Sequence, residues 1–204
     1  IPKFCLPLNE KQTILEWHVE KMLKVCDIVK ISTRKSWIPI VNQMDLPPEA
    51  VLYEIEPSTM SDALLKMMVN PNSKYIIGMP DTYMAGSDGE FYKQLAWSDA
   101  DVALSAFECH DDLKGRVGQI NFNDDGTVID ALDKVEGCNY SYMWGAMAIQ
   151  NVYLDEELPN PGIQIMDWVQ DGKVVKAIKA KGSYLDVGTV AGLKLLYKTL
   201  DAEN

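Results

Sequence analysis

Two aspartates in this chain stand where an apolar segment gives way to a turn. Gly78-Met79-Pro80-Asp81 closes the segment Lys74 to Met79 (KYIIGM), and Pro80 stiffens the turn while offering no amide donor. Tyr184-Leu185-Asp186-Val187-Gly188-Thr189 repeats the arrangement: apolar residues, an aspartate, then a glycine turn opening a helix. Two hard oxygen ligands from separate strand ends suit magnesium, which takes a few carboxylates and completes its shell with water and phosphate oxygens. Singly, such an aspartate is more often a turn residue or a helix cap, so the pair carries the argument. Asp133-Lys134 ends a later strand, and a lysine there is a mobile point charge able to meet a phosphate. Lys3, ahead of Leu6-Pro7, offers the same chemistry, and for both lysines the plainer alternative is a solvated side chain.

These residues need elements to position them. Thr13-Ile14-Leu15-Glu16 is a capping box, and Leu15, Val19, Met22, Leu23 and Cys26 recur at helical spacing behind it. Asp27 to Thr33 and Val51 to Ile55 read as strands, with Pro39, Pro47 and Pro48 marking an irregular connection between them. Thr59 caps a helix over Ala63 to Val69, Asn70-Pro71-Asn72 ends it, and Lys74 to Met79 is expected as a buried strand. A helix is expected over Gly89 to Trp97 and a strand over Asp101 to Phe107. Arg116 to Phe122 should pair with Thr127 to Leu132 across Asn123-Asp124-Asp125-Gly126. Tyr142 to Ile149 and Lys173 to Ala180 are further strands, and Thr189 caps a last helix through Leu200. The alternation predicts an α/β, Rossmann-like fold: a mixed, mostly parallel sheet flanked by helices, with antiparallel ribbons in the C-terminal half. In such sheets ligands bind at the carboxyl ends of the strands, where Asp81 is expected.

Composition narrows the class. The 204 residues, 47% of them apolar, suffice for one domain with a real core. A formal net charge of -11 argues against nucleic acid or an anionic membrane as partner, since both demand a basic surface. No leader or membrane-length apolar run is evident, which implies a soluble, cytoplasmic protein. Cys5, Cys26, Cys109 and Cys138 lack C-x-x-C spacing and read as reduced thiols; His18 and His110 lack metal-ligand neighbours and read as structural.

Taken in order, the motifs resemble the sugar-1-phosphate nucleotidylyltransferases, including glucose-1-phosphate thymidylyltransferases. Pro2-Lys3-Phe4-Cys5-Leu6-Pro7 is similar to the family's P-K-x-L-x-P region, and Glu56-Pro57 through Ala63, including Ser61, to the segment bordering the nucleobase. Met79-Pro80-Asp81 stands at the strand-end G-D, and Gly118 within Arg116 to Phe122 at the hairpin glycine that lies against the sugar. Asp133-Lys134 resembles E-K-P, Asn139-Tyr140 and Trp144-Gly145 the stretch N-Y-A and G-x-Y, and Leu185-Asp186-Val187-Gly188-Thr189 the segment W-x-D-V-G-T. The resemblance implies Mg2+ on Asp81 and Asp186, phosphate contacts by Lys3 and Lys134, and substrate binding by Ser61, Gly118, Asp133, Asn139 and Gly145. The implied partners are a nucleoside triphosphate and a phosphorylated small molecule, with no nucleic acid and no membrane; association into a homo-oligomer is left open.

Departures from the family pattern bear on these implications. Val135 replaces the proline of E-K-P, and Asp133 is one methylene shorter than glutamate. The glycine-rich signature G-G-x-G-T-R, whose amides and arginine would hold a triphosphate, is not among the residues before Lys3. About 20 further residues ahead of Ile1 are therefore expected, forming a central strand and that phosphate loop. Without them the alternative is a regulatory paralogue that binds nucleotide or sugar nucleotide. A glycosyltransferase would place its carboxylates as D-x-D, but Asp99-Ala100-Asp101 precedes an apolar strand instead of following one.

Overall fold

The computed structural model describes residues 2–203; the segment expected ahead of Ile1 lies outside them. In chain order a short ribbon, β1 (Pro7–Asn9) with β2 (Gln12–Thr13), leads into α1 (Ile14–Leu23), β3 (Val29–Thr33), α2 (Ile38–Val41), β4 (Ala50–Glu54), α3 (Met60–Met67) and β5 (Lys74–Ile77). β6 (Thr82–Ala85), α4 (Glu90–Trp97), β7 (Val102–Glu108), β8 (Gly118–Phe122), β9 (Val128–Asp133) and β10 (Tyr142–Gln150) follow. α5 (Ile165–Gln170), β11 (Val175–Lys179), β12 (Ser183–Asp186) and α6 (Val190–Glu203) complete the fold.

Local chemistry explains where the elements begin. At α1 the Thr13 hydroxyl accepts from the Glu16 amide while the Glu16 carboxylate accepts from the Thr13 amide, the reciprocal pair read from sequence. The Thr59 hydroxyl accepts from Asp62 N–H at α3, and Thr189 from Gly192 N–H at α6. Between β8 and β9, Gly126 adopts φ +84° and the Asn123 amide bonds to the Thr127 carbonyl, closing the hairpin.

The main sheet runs β11-β7-β10-β8-β9, with β5 also on β10. Successive residues of β7 and β10 point into two separate cores. Ala103, Phe107, Met143, Ala146 and Ala148 meet α1 and α4, whereas Val102, Leu104, Ala106, Trp144, Met147 and Ile149 meet α5 and the α3 side. Helices therefore cover both faces, as expected for the class.

The pairing is less parallel than the sequence suggested. Among the described residues β3–β4 and β7–β11 are parallel, and the other ladders are antiparallel. Lys74 to Met79 was expected to sit buried in a parallel array. Instead β5 runs antiparallel to β10 and is only partly buried over Lys74 to Ile76. The cause is the length of β10: its nine residues reach β8 through Tyr142 and Met143 and β5 through Met147 to Gln150 along the same edge, with β7 on the other.

A second departure bears on function. Thr82 to Ala85 and Ser183 to Asp186, which sequence patterning leaves as loop or as the approach to α6, form an antiparallel ribbon with Thr82 opposite Asp186 and Ala85 opposite Ser183. Gly86 (φ +70°) and Gly182 (φ +91°) flank it, and a Cβ on Gly182 would lie 2.1 Å from the Ala85 carbonyl oxygen. Gly182→Ala is expected to lower stability by about 1–3 kcal/mol, read from urea unfolding, because neither the left-handed backbone nor the contact can relax without moving the ribbon.

Candidate functional site

The β6–β12 ribbon brings the two aspartates together. Asp186 is the last residue of β12 and sits across from Thr82, so Asp81, one residue earlier, lies at the same end of the ribbon. Both carboxylates act on one phenol: Tyr184 is buried, and its pKa is pushed up first by that burial and then by Asp81 and Asp186. Lys3 joins them. Its ammonium lies 3.3 Å from Asp81 Oδ2, and a Cβ on Gly188 would stand 2.7 Å from Lys3 Nζ and 2.7 Å from Asp186 Oδ1. Residues from the chain start, from the middle and from the turn before α6 thus share one partly exposed edge.

Asp186 also caps its own turn, Oδ1 accepting from Gly188 N–H at 2.7 Å, which is the plainer role foreseen for it. That bond occupies one oxygen. Its other oxygen and Asp81 Oδ1 have no protein partner among the hydrogen bonds described. Among the described residues no group of three or more His, Cys, Asp or Glu side chains could hold a metal, so a site here has two carboxylates. Magnesium is commonly bound through one or two carboxylates plus water and phosphate, and this donor set fits it.

Behind the edge stands a buried pair that sequence reading passed over. His18 Nε2 lies 2.8 Å from the Thr82 carbonyl oxygen and Nδ1 2.6 Å from the Tyr92 hydroxyl. A carbonyl only accepts, so Nε2–H donates to it and Nδ1 accepts from the tyrosine. The Tyr92 hydroxyl also fills the space beside Gly78, where a Cβ would come within 2.3 Å of it. The helix α1, the helix α4 and the segment Gly78–Thr82 are locked together here, directly beneath Asp81. His18 belongs to the apolar face of α1, and nothing in its sequence context announced the partner.

A second cluster lies on the other core. Gly118 and Asp133 are opposite one another in the β8–β9 ladder, and Asp133 Oδ2 accepts from Asn160 Nδ2 at 3.1 Å. Lys134 follows with φ +55°, a left-handed backbone held by its amide bond to the Val117 carbonyl, and its side chain is exposed. Asn139 is also exposed.

Two residues expected to touch substrate lie deeper. Ser61 is fully buried, its hydroxyl accepting from Gln164 Nε2, so it supports the α3 start from behind. Gly145 is buried, and a Cβ there would come within 2.7 Å of the Phe107 ring. Asp101 of the D-x-D pattern accepts from the Tyr153 hydroxyl at 3.1 Å and from the Val174 amide at 2.8 Å. At the carboxyl ends of β3 and β4, Ser32, Thr33, Arg34, Trp37, Ile55 and Pro57 line a groove of about 280 Å³. Of these, only Pro57 was marked from sequence.

No protein-family model matches the sequence, and no curated protein matches it significantly. Solved structures do. A UDP-glucose pyrophosphorylase complexed with UDP-glucose superposes with TM-score 0.75 at 14% identity, covering 100% of this chain and 90% of the other. A putative glucose-1-phosphate thymidylyltransferase from Bacillus anthracis, in complex with a sucrose, gives 0.73 at 17%, covering 99% and 87%. HddC from Yersinia pseudotuberculosis complexed with GMP-PN gives 0.67 at 18%, covering 100% and 91%. The chain therefore has the fold of sugar-phosphate nucleotidylyltransferases. No described helix is long and apolar enough to cross a membrane.

The buried histidine makes a pH prediction. Burial lowers the His18 pKa from 6.5 to about 4, so the unfolded chain binds this proton at a pH where the folded protein does not. Stability is full above pH 6.5 and falls as the pH drops toward 4, by on the order of 3 kcal/mol in total. Denaturant midpoints between pH 7 and pH 4.5 should show that slope, and His18→Gln should flatten it.

Proposed function

We propose that this protein transfers a nucleoside monophosphate from a nucleoside triphosphate to a sugar phosphate or similar phosphorylated acceptor, releasing pyrophosphate. The observation that carries the reading is the convergence of Lys3, Asp81 and Asp186 on one strand-end edge within a nucleotidylyltransferase fold. The neighbours' ligands, UDP-glucose in one and GMP-PN in another, agree in kind.

In the proposed reaction an acceptor phosphate oxygen attacks the α-phosphorus, the bond to the bridging oxygen breaks, and that oxygen leaves with pyrophosphate. No protein nucleophile or general base is required; positioning and charge neutralisation carry such chemistry. Asp81 and Asp186 would hold Mg2+, which supplies charge neutralisation at the phosphates. Lys3 pairs with Asp81 in the protein alone, and its long side chain lets it turn from that carboxylate to a phosphate oxygen. Lys134, presented by a left-handed backbone beside Asp133, receives the acceptor phosphate. The groove by Arg34, Trp37 and Pro57 adjoins the segment assigned to the nucleobase.

The expected strand and glycine-rich loop also have a place in this reading. β3 pairs only with β4 and β5 only with β10 among the described residues, so each has an unpaired edge. Lys30 of β3 lies over the rings of both Tyr53 and Tyr75, at 5.7 and 6.0 Å, spanning from β4 to β5. A parallel strand along those edges would unite the two sheets and deliver a phosphate loop to their carboxyl ends.

With Mg2+, a nucleoside triphosphate and glucose 1-phosphate, the native protein should release pyrophosphate only when both substrates are present. Asp81→Asn and Asp186→Asn should each lower kcat by about 10²-fold or more without shifting the unfolding midpoint. Lys134→Ala should raise KM for the acceptor far more than KM for the triphosphate. Nucleotide binding without pyrophosphate release would favour the regulatory alternative.

A further inference from the structure

Gln119 of β8 is completely buried, an uncommon place for a side chain that carries both a donor and an acceptor. Both are taken up by loop backbone. Its Oε1 accepts from the Gly115 N–H at 2.7 Å, and its Nε2 donates to the Tyr140 carbonyl at 2.9 Å. Gly115 belongs to residues 109–117, which connect β7 to β8, and Tyr140 to residues 134–141, which connect β9 to β10. One interior side chain therefore joins two loops.

The loops also meet directly. The Lys134 amide donates to the Val117 carbonyl at 3.2 Å, and a Cβ on Gly115 would stand 3.1 Å from the Val135 carbonyl oxygen. The far end of the 134–141 loop is fastened by Cys109 N–H on the Ser141 carbonyl and by the Tyr140 hydroxyl on Asp130. Between these anchors Val135, Glu136, Gly137 and Asn139 are exposed, and Cys138 is buried. Lys134 has φ +55°, a conformation that a non-glycine residue keeps only where its surroundings hold it. Gln119 contributes to that hold from both sides. It fixes Gly115, two residues from the carbonyl that the Lys134 amide uses, and Tyr140, the neighbour of Asn139.

We propose that Gln119 is a positioning residue for the phosphorylated acceptor: by stapling the 109–117 and 134–141 loops together it keeps Lys134 in its left-handed conformation and so aims the ammonium at the acceptor phosphate. This role rests on the transferase reading and adds to it a residue that stands behind the site and touches no substrate. Without the staple the 134–141 loop parts from its neighbour, Lys134 relaxes toward negative φ, and its side chain swings away from the acceptor. Lys3, Asp81 and Asp186 make their bonds elsewhere, so the triphosphate end is left as it was. An amide that served stability alone would lower the unfolding midpoint and favour neither substrate.

The test uses the native protein with Mg2+, a nucleoside triphosphate and glucose 1-phosphate, and the variant Gln119→Met, which keeps the side chain's length and removes both bonds. KM for glucose 1-phosphate should rise by about 5- to 30-fold, with KM for the triphosphate unchanged. Placed on Lys134→Ala, the same substitution should raise KM for glucose 1-phosphate no further, because the group it positions is gone. An active parent in which Gln119→Met moves both KM values alike or neither, or in which its effect persists undiminished on Lys134→Ala, overturns the role of Gln119 and leaves the transferase reading standing. A parent that releases no pyrophosphate with both substrates removes the transferase reading, and this role with it. Hydrogen exchange in the parent decides the matter even if the variant is unstable: the Gly115 and Lys134 amides should exchange at least about 10-fold more slowly than in an unstructured chain, and exchange at the unstructured rate would overturn the staple.

Discussion

The pairing of β6 with β12 is the constraint on which the proposed site depends. It closes a chain segment of about a hundred residues and sets Asp186 opposite Thr82, one residue from Asp81. Register in such a ribbon is fixed by packing on both of its faces, because a slip of one residue would exchange the side chains packed on one face for those packed on the other. Thr82, Tyr83, Met84 and Ala85 are all buried, as are Tyr184 and Leu185, so the ribbon has little freedom to slide. The Thr82 carbonyl, bonded to His18, ties it to α1. The positions of two acidic side chains at the surface thus follow from packing that is wholly internal.

The proposed reaction requires an acidic protein to meet phosphates. A net charge of -11 repels anions at long range, but screening confines that field to about 10 Å at ordinary ionic strength. Local charge then decides. Lys3 stands among the two aspartates, and Lys134 is held out on a backbone conformation that costs free energy for any residue but glycine.

Much of this was legible in the sequence wherever the signal was local. The Thr13–Glu16 capping box, the Thr59 and Thr189 caps and the Asn123-Asp124-Asp125-Gly126 turn each report a hydrogen bond between near neighbours, and each formed where its residues are. Asp81 and Asp186 were singled out by their place after apolar runs. Their ribbon was not, because Thr82 to Ala85 is four residues between Pro80 and Gly86 with no alternation, all of it buried. Its partner is distant in the chain, and no local pattern records such a pairing. The same reason hid the antiparallel place of β5 on β10. Gly145 and Ser61 carry motif positions but lie in the interior, where a glycine against Phe107 and a serine against Gln164 satisfy packing. His18 was the converse: an apolar-face residue whose ring nitrogens acquire meaning only from what the fold sets beside them.

The central claim is that Asp81 and Asp186 form one divalent-cation site at a nucleotide-binding edge. Paramagnetic line broadening by Mn2+ tests it directly, in the native protein with a nucleoside triphosphate present and Mg2+ as competitor. The expected result is selective broadening of the backbone signals of Lys3, Thr82, Tyr184 and Gly188, reversed by excess Mg2+ and lost in both Asp81→Asn and Asp186→Asn. Broadening centred elsewhere, or broadening that survives either substitution, would contradict it.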